Sequence, residues 1–273
     1  MKKSLIKTFL AFLIFIGIQN FAMANVIRFA QVTDVHYSDE SPYPAEILKK
    51  TVADLNQQKD LSFVIFTGDN IDSPKPKYLQ GFMTIIKNLD IPYYMVIGNH
   101  DVFKNGNLSK AQYIDTIRDL DAAYKPKHQN YVFKKDGFVF IVVDGAKEII
   151  PNAVGYYKKD TLDWLEKQLT KYKKSPVIIA QHYPIVPPKV SSSHDTYKKE
   201  EYLARLDKYD NVVAVISGHY HMNTEQMRNG VYHISSPSLI VPPNYYKIIE
   251  ISTTKGFSPL IYTELRAISP TED

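Results

Sequence analysis

The chain has 273 residues, of which 44% are apolar and 23% charged, and its formal net charge is +4. This is the composition of an ordinary globular protein that is long enough for one large core. It contains no cysteine, which excludes disulfides, thiolate metal sites and cysteine nucleophiles.

The first 24 residues have the pattern of a secretory signal peptide. Lys2, Lys3 and Lys7 precede an apolar run from Phe9 to Ile18, and Ala22-Met23-Ala24 places small residues before a cleavage site. The apolar run is too short to span a membrane, so a transmembrane anchor is disfavoured. We expect cleavage after residue 24, a mature domain over residues 25–273, and a periplasmic or secreted protein without a membrane anchor.

The charge of the mature chain follows from this prediction. Cleavage removes three of the 33 basic residues and none of the 29 acidic ones, so the mature chain is close to neutral. No basic stripe is present that would favour nucleic acid, and we expect no nucleic-acid partner.

The rest of the chain alternates short apolar runs with amphipathic stretches. The runs are rich in Val, Ile and Phe and end at Gly or Asp, as buried parallel strands joined by helices do. A hairpin turn is predicted at Lys135-Asp136-Gly137, and Asp160 is predicted to cap a helix. The predicted strands are Ile27–Thr33, Phe63–Thr67, Tyr93–Ile97, Tyr131–Lys134, Phe138–Asp144, Val177–Ala180, Val212–Ile216, Thr224–Arg228, Val231–Ser235, Tyr246–Ser252 and Leu260–Leu265. The predicted helices are Ala45–Gln58, Lys77–Leu89, Lys110–Ala123, Thr161–Tyr172 and Lys198–Lys208.

The order of these elements predicts an α/β fold. Strand–helix–strand units with right-handed crossovers come first, and antiparallel strands come last. We therefore expect two packed sheets with helices outside, and no long linker divides them.

Residues of the types that bind metals follow five of the predicted strands. Because ligands of open α/β sheets bind beyond the carboxyl ends of the strands, these residues are expected to converge although they are far apart in sequence. The five motifs are Asp34-Val35-His36, Gly68-Asp69-Asn70-Ile71-Asp72, Gly98-Asn99-His100-Asp101, His182 and Gly218-His219-Tyr220-His221. Each motif alone is weak, but the ordered set, with every member at a strand end, is hard to obtain by chance.

The residue types in these motifs indicate a site for two metal ions. Carboxylate, amide oxygen and imidazole together suit Mn, Fe or Zn better than Ca or Mg. Glycines precede three of the motifs and permit close approach of the backbone to a bound ion or phosphate. Two ions about 3.5–4 Å apart could share one carboxylate, activate a water, and clamp the attacking and leaving oxygens of a phosphate ester.

In order and spacing, the motifs resemble those of the calcineurin-like metallophosphoesterase superfamily, over nearly the whole mature chain. The resemblance implies a four-layer αββα sandwich, in which two mixed central β-sheets are flanked by helices. It also implies that the first ion is bound by Asp34, His36 and His221, that the second is bound by Asn99, His182 and His219, and that Asp69 bridges the two.

The same resemblance gives His100 a catalytic role. It is similar to the family histidine that stabilises developing charge and protonates the leaving alkoxide. Asp101 would hold the ring of His100 in the required tautomer. The nucleophile would be a water activated by the metals, so no covalent enzyme intermediate is expected.

Asp72 and the compact form of the chain limit which metals and which substrates are expected. Purple acid phosphatases carry tyrosine three residues after the bridging aspartate, where this chain has Asp72, so a pair of redox-inert divalent ions is expected. The compact form resembles the bacterial cyclic-nucleotide phosphodiesterase branch, which implies a small phosphodiester or phosphomonoester substrate. His194, on the loop after His182, is a candidate substrate contact.

Two alternative functions stay open. The protein could be an exported metal-binding module without activity, or it could be a nuclease.

Overall fold

The computed structural model of the protein describes residues 24–268. The predicted signal peptide lies outside the described residues except for its last residue, Ala24. Over the described range, no helix is long and apolar enough to cross a membrane.

The described residues form thirteen strands and five helices, and all of the predicted elements are present with ends that differ by a few residues. The strands are β1 Asn25–Val32, β2 Val64–Phe66, β3 Tyr93–Met95, β4 Tyr131–Lys135, β5 Phe138–Val142, β6 Gly155–Tyr156, β7 Val177–Ala180, β8 Thr196–Tyr197, β9 Val212–Ser217, β10 Thr224–Arg228, β11 Val231–Ser235, β12 Tyr245–Thr253 and β13 Leu260–Ala267. The helices are α1 Tyr43–Gln57, α2 Pro76–Ile86, α3 Lys110–Leu120, α4 Lys159–Lys171 and α5 Lys199–Leu206.

Eleven of the strands form two mixed sheets. The strand order is β13-β12-β1-β2-β3 in the first sheet and β10-β11-β9-β7-β5-β4 in the second. Strands β1, β2 and β3 are parallel to one another, and so are β5, β7, β9 and β11. The carboxyl ends of the parallel strands in each sheet therefore lie along one edge of that sheet.

The last four strands differ from the predicted antiparallel tail. Strands β12 and β13 extend the first sheet beside β1 and are antiparallel, whereas β10 and β11 join the second sheet, where β11 is parallel to β9. The short β6 and β8, which were not predicted, pair only with each other. An apolar pattern shows that a strand is buried but not which neighbour it pairs with, so these pairings could not be read from the sequence.

Successive residues of the central strands face two different apolar layers. In β1, Ile27 and Phe29 belong to the core between the sheets, and Ala30 and Val32 belong to the core beneath the helices. Phe29 of the first sheet lies edge-on to Phe140 of the second, with ring centroids 5.4 Å apart. The sheets are therefore in face-to-face contact with helices outside, which confirms the four-layer sandwich.

The start of α4 corrects one predicted detail. Lys158 is the N-cap residue, no side chain caps the helix, and Asp160 lies inside the first turn. The negative charge of Asp160 still favours the positive end of the helix dipole. By contrast, α3 begins with a capping box between Ser109 and Gln112, a pattern of Ser followed by Gln three residues later that is readable in the sequence.

Candidate metal centre

The structure brings all seven predicted ligands together at the carboxyl ends of five parallel strands. Strands β1, β2 and β3 of the first sheet and β7 and β9 of the second each end just before one of the five motifs. Asp34, His36 and His221 form one group of metal-binding side chains, and Asp69, His182 and His219 form another. Asn99 lines a cavity of about 220 Å³ together with His36, Asp69, His219 and His221. The role of the seven as ligands stays a prediction.

In the first group, each of three side chains brings one atom of a metal-binding type to a common space. His221 Nε2 lies 3.3 Å from Asp34 Oδ1 and 3.4 Å from His36 Nε2. His36 Nε2 lies 4.0 Å from Asp69 Oδ2, the oxygen that this group shares with the second.

In the second group, His182 Nε2 lies 3.3 Å from the same Asp69 oxygen. The ring of His219 lies beside that of His182, with centroids 4.9 Å apart. Asp69 is 2% exposed and lies between the two groups, which is the position that a bridging carboxylate requires.

Several buried atoms of the cluster have no hydrogen-bond partner. They include Asp34 Oδ1, Asn99 Oδ1, His182 Nε2 and His219 Nε2. Leaving a buried polar atom without a partner costs about 1–3 kcal/mol, so native proteins do so rarely and for a reason. A pair of cations would be bonded to all four atoms, and the donor set therefore fits two metal ions.

Contacts behind the ligands aim these atoms at the centre. His182 Nδ1 lies 2.8 Å from the carbonyl oxygen of Thr67. Because a carbonyl can only accept, Nδ1 carries a proton, and Nε2, which faces Asp69, is the nitrogen that can bind a metal. Asp34 Oδ2 accepts from Thr33 Oγ1 at 2.7 Å and from the backbone N–H of His219 at 2.9 Å, which leaves Oδ1 for a metal.

The electrostatics of the cluster favour a positive charge at its centre. Burial alone would raise the pKa of Asp69, but His182 and His36 hold that pKa below its usual range. Burial would lower the pKa of His182, but the Asp69 carboxylate raises it to about 9. Burial, followed by the charge of His182, lowers the pKa of His219 to about 3, so this ring is neutral and able to bind a metal.

Five of the seven predicted ligands have left-handed backbone conformations, in which φ is positive. They are Asp34, His36, Asp69, His219 and His221, with φ from 44° to 71°. Such a conformation costs a residue with a Cβ atom roughly 1–2 kcal/mol, and strain of this kind concentrates at functional sites. The turns that follow the strands therefore have strained backbones, and this conformation directs the five side chains toward the centre of the site.

Two glycines next to the ligands are required by close packing. A Cβ atom on Gly98 would lie 2.2 Å from Asp69 Oδ1, and one on Gly218 would lie 2.5 Å from Asp34 Oδ2 and closer still to Thr33. Both are shorter than any real contact, so a side chain at either position would displace a ligand carboxylate. The glycines therefore permit close packing against the predicted ligands, and the approach of the backbone to a bound ion or phosphate stays a prediction.

The predicted role of Asp101 in holding the ring of His100 is wrong. The Asp101 carboxylate is fully buried and accepts from the backbone N–H groups of Asn70, Ile71 and Gly98. It therefore ties the turn after β3 to the turn after β2, and it acts as a structural brace.

His100 is oriented instead by a backbone carbonyl. Its Nδ1 lies 2.7 Å from the carbonyl oxygen of Asp72, which can only accept, so Nδ1 carries the proton and Nε2 faces the cavity. The ring also packs edge-on against that of His36, with centroids 4.7 Å apart. A backbone carbonyl has no sequence signature, which is why sequence reasoning assigned this role to the neighbouring carboxylate.

The loop between β7 and α5 adds two cationic or polar side chains to the cavity. His194, predicted as a substrate contact, lines it, and its ring centroid lies 5.2 Å from that of His219. Lys189 of the same loop also lines the cavity but was missed, because a single lysine in a polar loop carries no signal. A larger cavity of about 700 Å³ lies between the edge strands β3 and β4, and no histidine lines it.

The calcineurin-like phosphoesterase family model matches residues 27–223. This range contains all five motifs and covers most of the chain. The chain belongs to this family. It is a hydrolase of phosphoric esters that uses divalent metal ions.

Relatives and solved structures agree with this membership. A 3',5'-cyclic-nucleotide phosphodiesterase of Nostoc sp. is 27% identical over 223 residues, which is 78% of each chain. A probable glycerophosphodiester phosphodiesterase of Arcobacter nitrofigilis is 28% identical over 192 residues, 68% of this chain and 66% of the relative. A dimetal phosphatase from Danio rerio shares the fold, with a TM-score of 0.67 and 18% identity over 86% of this chain and 98% of its own.

The backbone strain at the ligands predicts an unusual order of stability. In metal-free protein, His221→Gly should have a free energy of unfolding about 0.5–1 kcal/mol higher than His221→Ala, because glycine relieves more strain than its added entropy costs. Asn99, which lacks a positive φ, is the matched control, and there glycine should be the less stable substitution by about 0.5–1 kcal/mol. Urea denaturation of the four variants measures these differences in the free energy of unfolding. If His221→Ala is as stable as His221→Gly, the backbone at His221 is not strained.

Proposed function

We propose that the chain hydrolyses small phosphodiesters at a centre of two divalent ions. Asp34, His36 and His221 would hold one ion, Asn99, His182 and His219 would hold the other, and Asp69 would bridge them. The observation that carries this proposal is the grouping of metal-binding side chains on both sides of Asp69, several of whose buried atoms lack hydrogen-bond partners.

Bound ions would supply a Lewis acid for the phosphoryl oxygens and lower the pKa of water toward neutrality. The residues of the chain do the rest. His100 Nε2 faces the cavity and, in the protonated ring, donates to the oxygen of the departing alcohol. The Asp72 carbonyl holds that ring, and Asp101 holds the turn on which the ring is mounted.

A phosphodiester is favoured over a monoester by the relatives. Those of Nostoc, Psychrobacter arcticus and Fibrobacter succinogenes are named as known or probable cyclic nucleotide phosphodiesterases, and that of Arcobacter as a probable glycerophosphodiester phosphodiesterase. All four names describe small diester substrates.

The metal ions are proposed to be Mn, Fe or Zn in the divalent state, because imidazole, carboxylate and amide donors suit these ions. Asp72 stands where a purple phosphatase has its tyrosine ligand. Its carboxylate is half-exposed and lies 4.0 Å from His36 Nδ1, on the side of that ring away from the cluster atom Nε2. This placement supports a pair of divalent ions rather than an iron–tyrosinate centre.

The proposal predicts separate effects on chemistry and on metal binding. His100→Ala should lower kcat on a dialkyl phosphodiester such as a cyclic nucleotide, whose alkoxide leaving group needs a proton, by about 10²–10⁴-fold, because a general acid contributes this much. The variant should keep the wild-type metal content, measured by elemental analysis, since none of the proposed ligands is changed. A chelator should abolish turnover, and Mn should restore it.

The exposed histidine His128 provides the control, and His128→Ala should keep wild-type kcat. A loss of less than tenfold in His100→Ala would contradict the role of His100. Turnover that survives complete metal removal would contradict the metal-dependent mechanism.

We also propose that the chain is exported and cleaved after Ala24, on the basis of its basic, apolar and small-residue N-terminal pattern. When the full chain is expressed in a Gram-negative host, the protein in the periplasmic fraction should begin at Asn25, by N-terminal sequencing. Ala24→Arg, which places a large charge at the cleavage position, should leave the segment attached. Recovery of the wild-type chain only as intact protein in the cytoplasm would contradict export.

A further inference from the structure

Two cavities adjoin at the candidate metal centre. The inner one, of about 220 Å³, is lined by five of the seven proposed ligands. An outer groove of about 560 Å³ is lined by Pro74, Phe103, Pro151 and Asn152, among others. Asn99, His100 and Ala153 line both cavities, so the inner cavity opens into the groove beside the proposed general acid.

The inner cavity is too small to hold a whole substrate. Sites for small molecules usually occupy about 300–1,000 Å³, and two bound ions would take part of the inner volume. The remaining space suits a phosphoryl group. The groove lies within the usual range, and it is where an ester arm of the substrate would extend.

The lining of the groove includes the polar residues Asp72 and Ser73 as well as apolar surface against which a flat ring can pack. The Phe103 ring and the two prolines supply apolar surface, and aromatic side chains pair with planar groups by stacking or edge contact. Asn152 adds a polar group at the rim. Its Oδ1 accepts from the N–H of Val154 at 2.7 Å, so its amide N–H₂ group is free to donate to a ligand.

The two walls of the groove are fixed to each other before any ligand binds. Phe103 N–H donates to the carbonyl of Leu108 at 2.8 Å, and the N–H of Lys104 donates to the carbonyl of Glu148 at 2.7 Å. A Cβ atom on Gly106 would lie 2.2 Å from Phe103 Cδ1, so the ring packs directly on this glycine. Preorganised walls reduce the entropy lost on binding.

We propose that this groove, defined by Pro74, Phe103, Pro151, Asn152 and Ala153, binds a ring-bearing alcohol arm of the substrate, such as a nucleoside or a phenol. The inference rests on the proposed phosphodiesterase function and narrows its substrate class. The alcohol in the groove is the one that leaves. Its P–O bond breaks as a water oxygen bonds to phosphorus, and its oxygen takes the proton from His100. The attacking water gives up a proton to solvent, and His100 regains one from solvent.

The test compares two phosphonates that share the anchoring group and differ in the ring. Binding of phenylphosphonate and methylphosphonate to Mn-loaded protein is measured by calorimetry. The wild-type protein should bind phenylphosphonate about tenfold more tightly, as expected for one well-packed aromatic contact. In Phe103→Ala the two affinities should lie within about twofold of each other, with that for methylphosphonate unchanged.

Two further variants sharpen the comparison. Phe103→Leu keeps apolar bulk and should retain part of the preference for the ring. Phe257→Ala removes an exposed phenylalanine from the turn between β12 and β13, outside both cavities, and should retain all of it. Equal affinities in the wild-type protein, or a preference that survives Phe103→Ala, would overturn the groove assignment.

The outcomes separate this inference from the function on which it rests. A ring preference without turnover of any diester would support the groove and overturn the proposed function. Turnover of diesters without a preference for phenylphosphonate would support the proposed function and overturn the groove assignment. Failure of both phosphonates to bind, together with no turnover, would overturn both.

Discussion

The carboxylate of Asp69 is the group on which the rest of the site depends. It is buried, it is shared by two groups of histidines, and one of its oxygens lies 3.3 Å from His182 Nε2 and 4.0 Å from His36 Nε2. Its other oxygen accepts from the backbone N–H of His100 at 2.9 Å. Burying a carboxylate without a compensating charge is costly, so the cluster requires cations or protons at its centre. That requirement links metal binding to the placement of the general acid.

The fold meets this requirement by combining two sheets. The first sheet provides Asp34, His36, Asp69 and Asn99 from its strand ends, and the second provides the remaining three histidines. Phe29, Phe63 and Phe140 contact one another in the aromatic core between the sheets. This packing fixes the position of one sheet edge relative to the other. Strained turns are tolerated at those edges because the strands behind them are buried on both faces.

Much of this organisation could be predicted from the sequence. The apolar runs identified the central strands, since a strand buried on both faces is apolar at nearly every position. The five motifs identified the side chains that the structure brings together, because parallel strands deliver their carboxyl ends to one edge. The pairing of β11 with β9 was not predictable, as many registers satisfy the same apolar pattern.

The hydrogen bonds that orient the side chains of the site could not be predicted from the sequence either. Asp101 was expected to orient His100, yet it holds backbone N–H groups of the neighbouring turn, and the Asp72 carbonyl takes the expected role. Every residue has a carbonyl, so a backbone acceptor leaves no trace in composition or spacing. The left-handed conformations of Asp34, His36 and His221 were equally hidden, because they occur at residues other than glycine.

If two ions share Asp69, anomalous diffraction from crystals grown with Mn should show two peaks about 3.5–4 Å apart. One peak should lie next to Asp34 and His221 and the other next to His182 and Asn99, with the Asp69 carboxylate in contact with both. A single peak, or two peaks of which one does not contact Asp69, would show that the carboxylate does not bridge two ions.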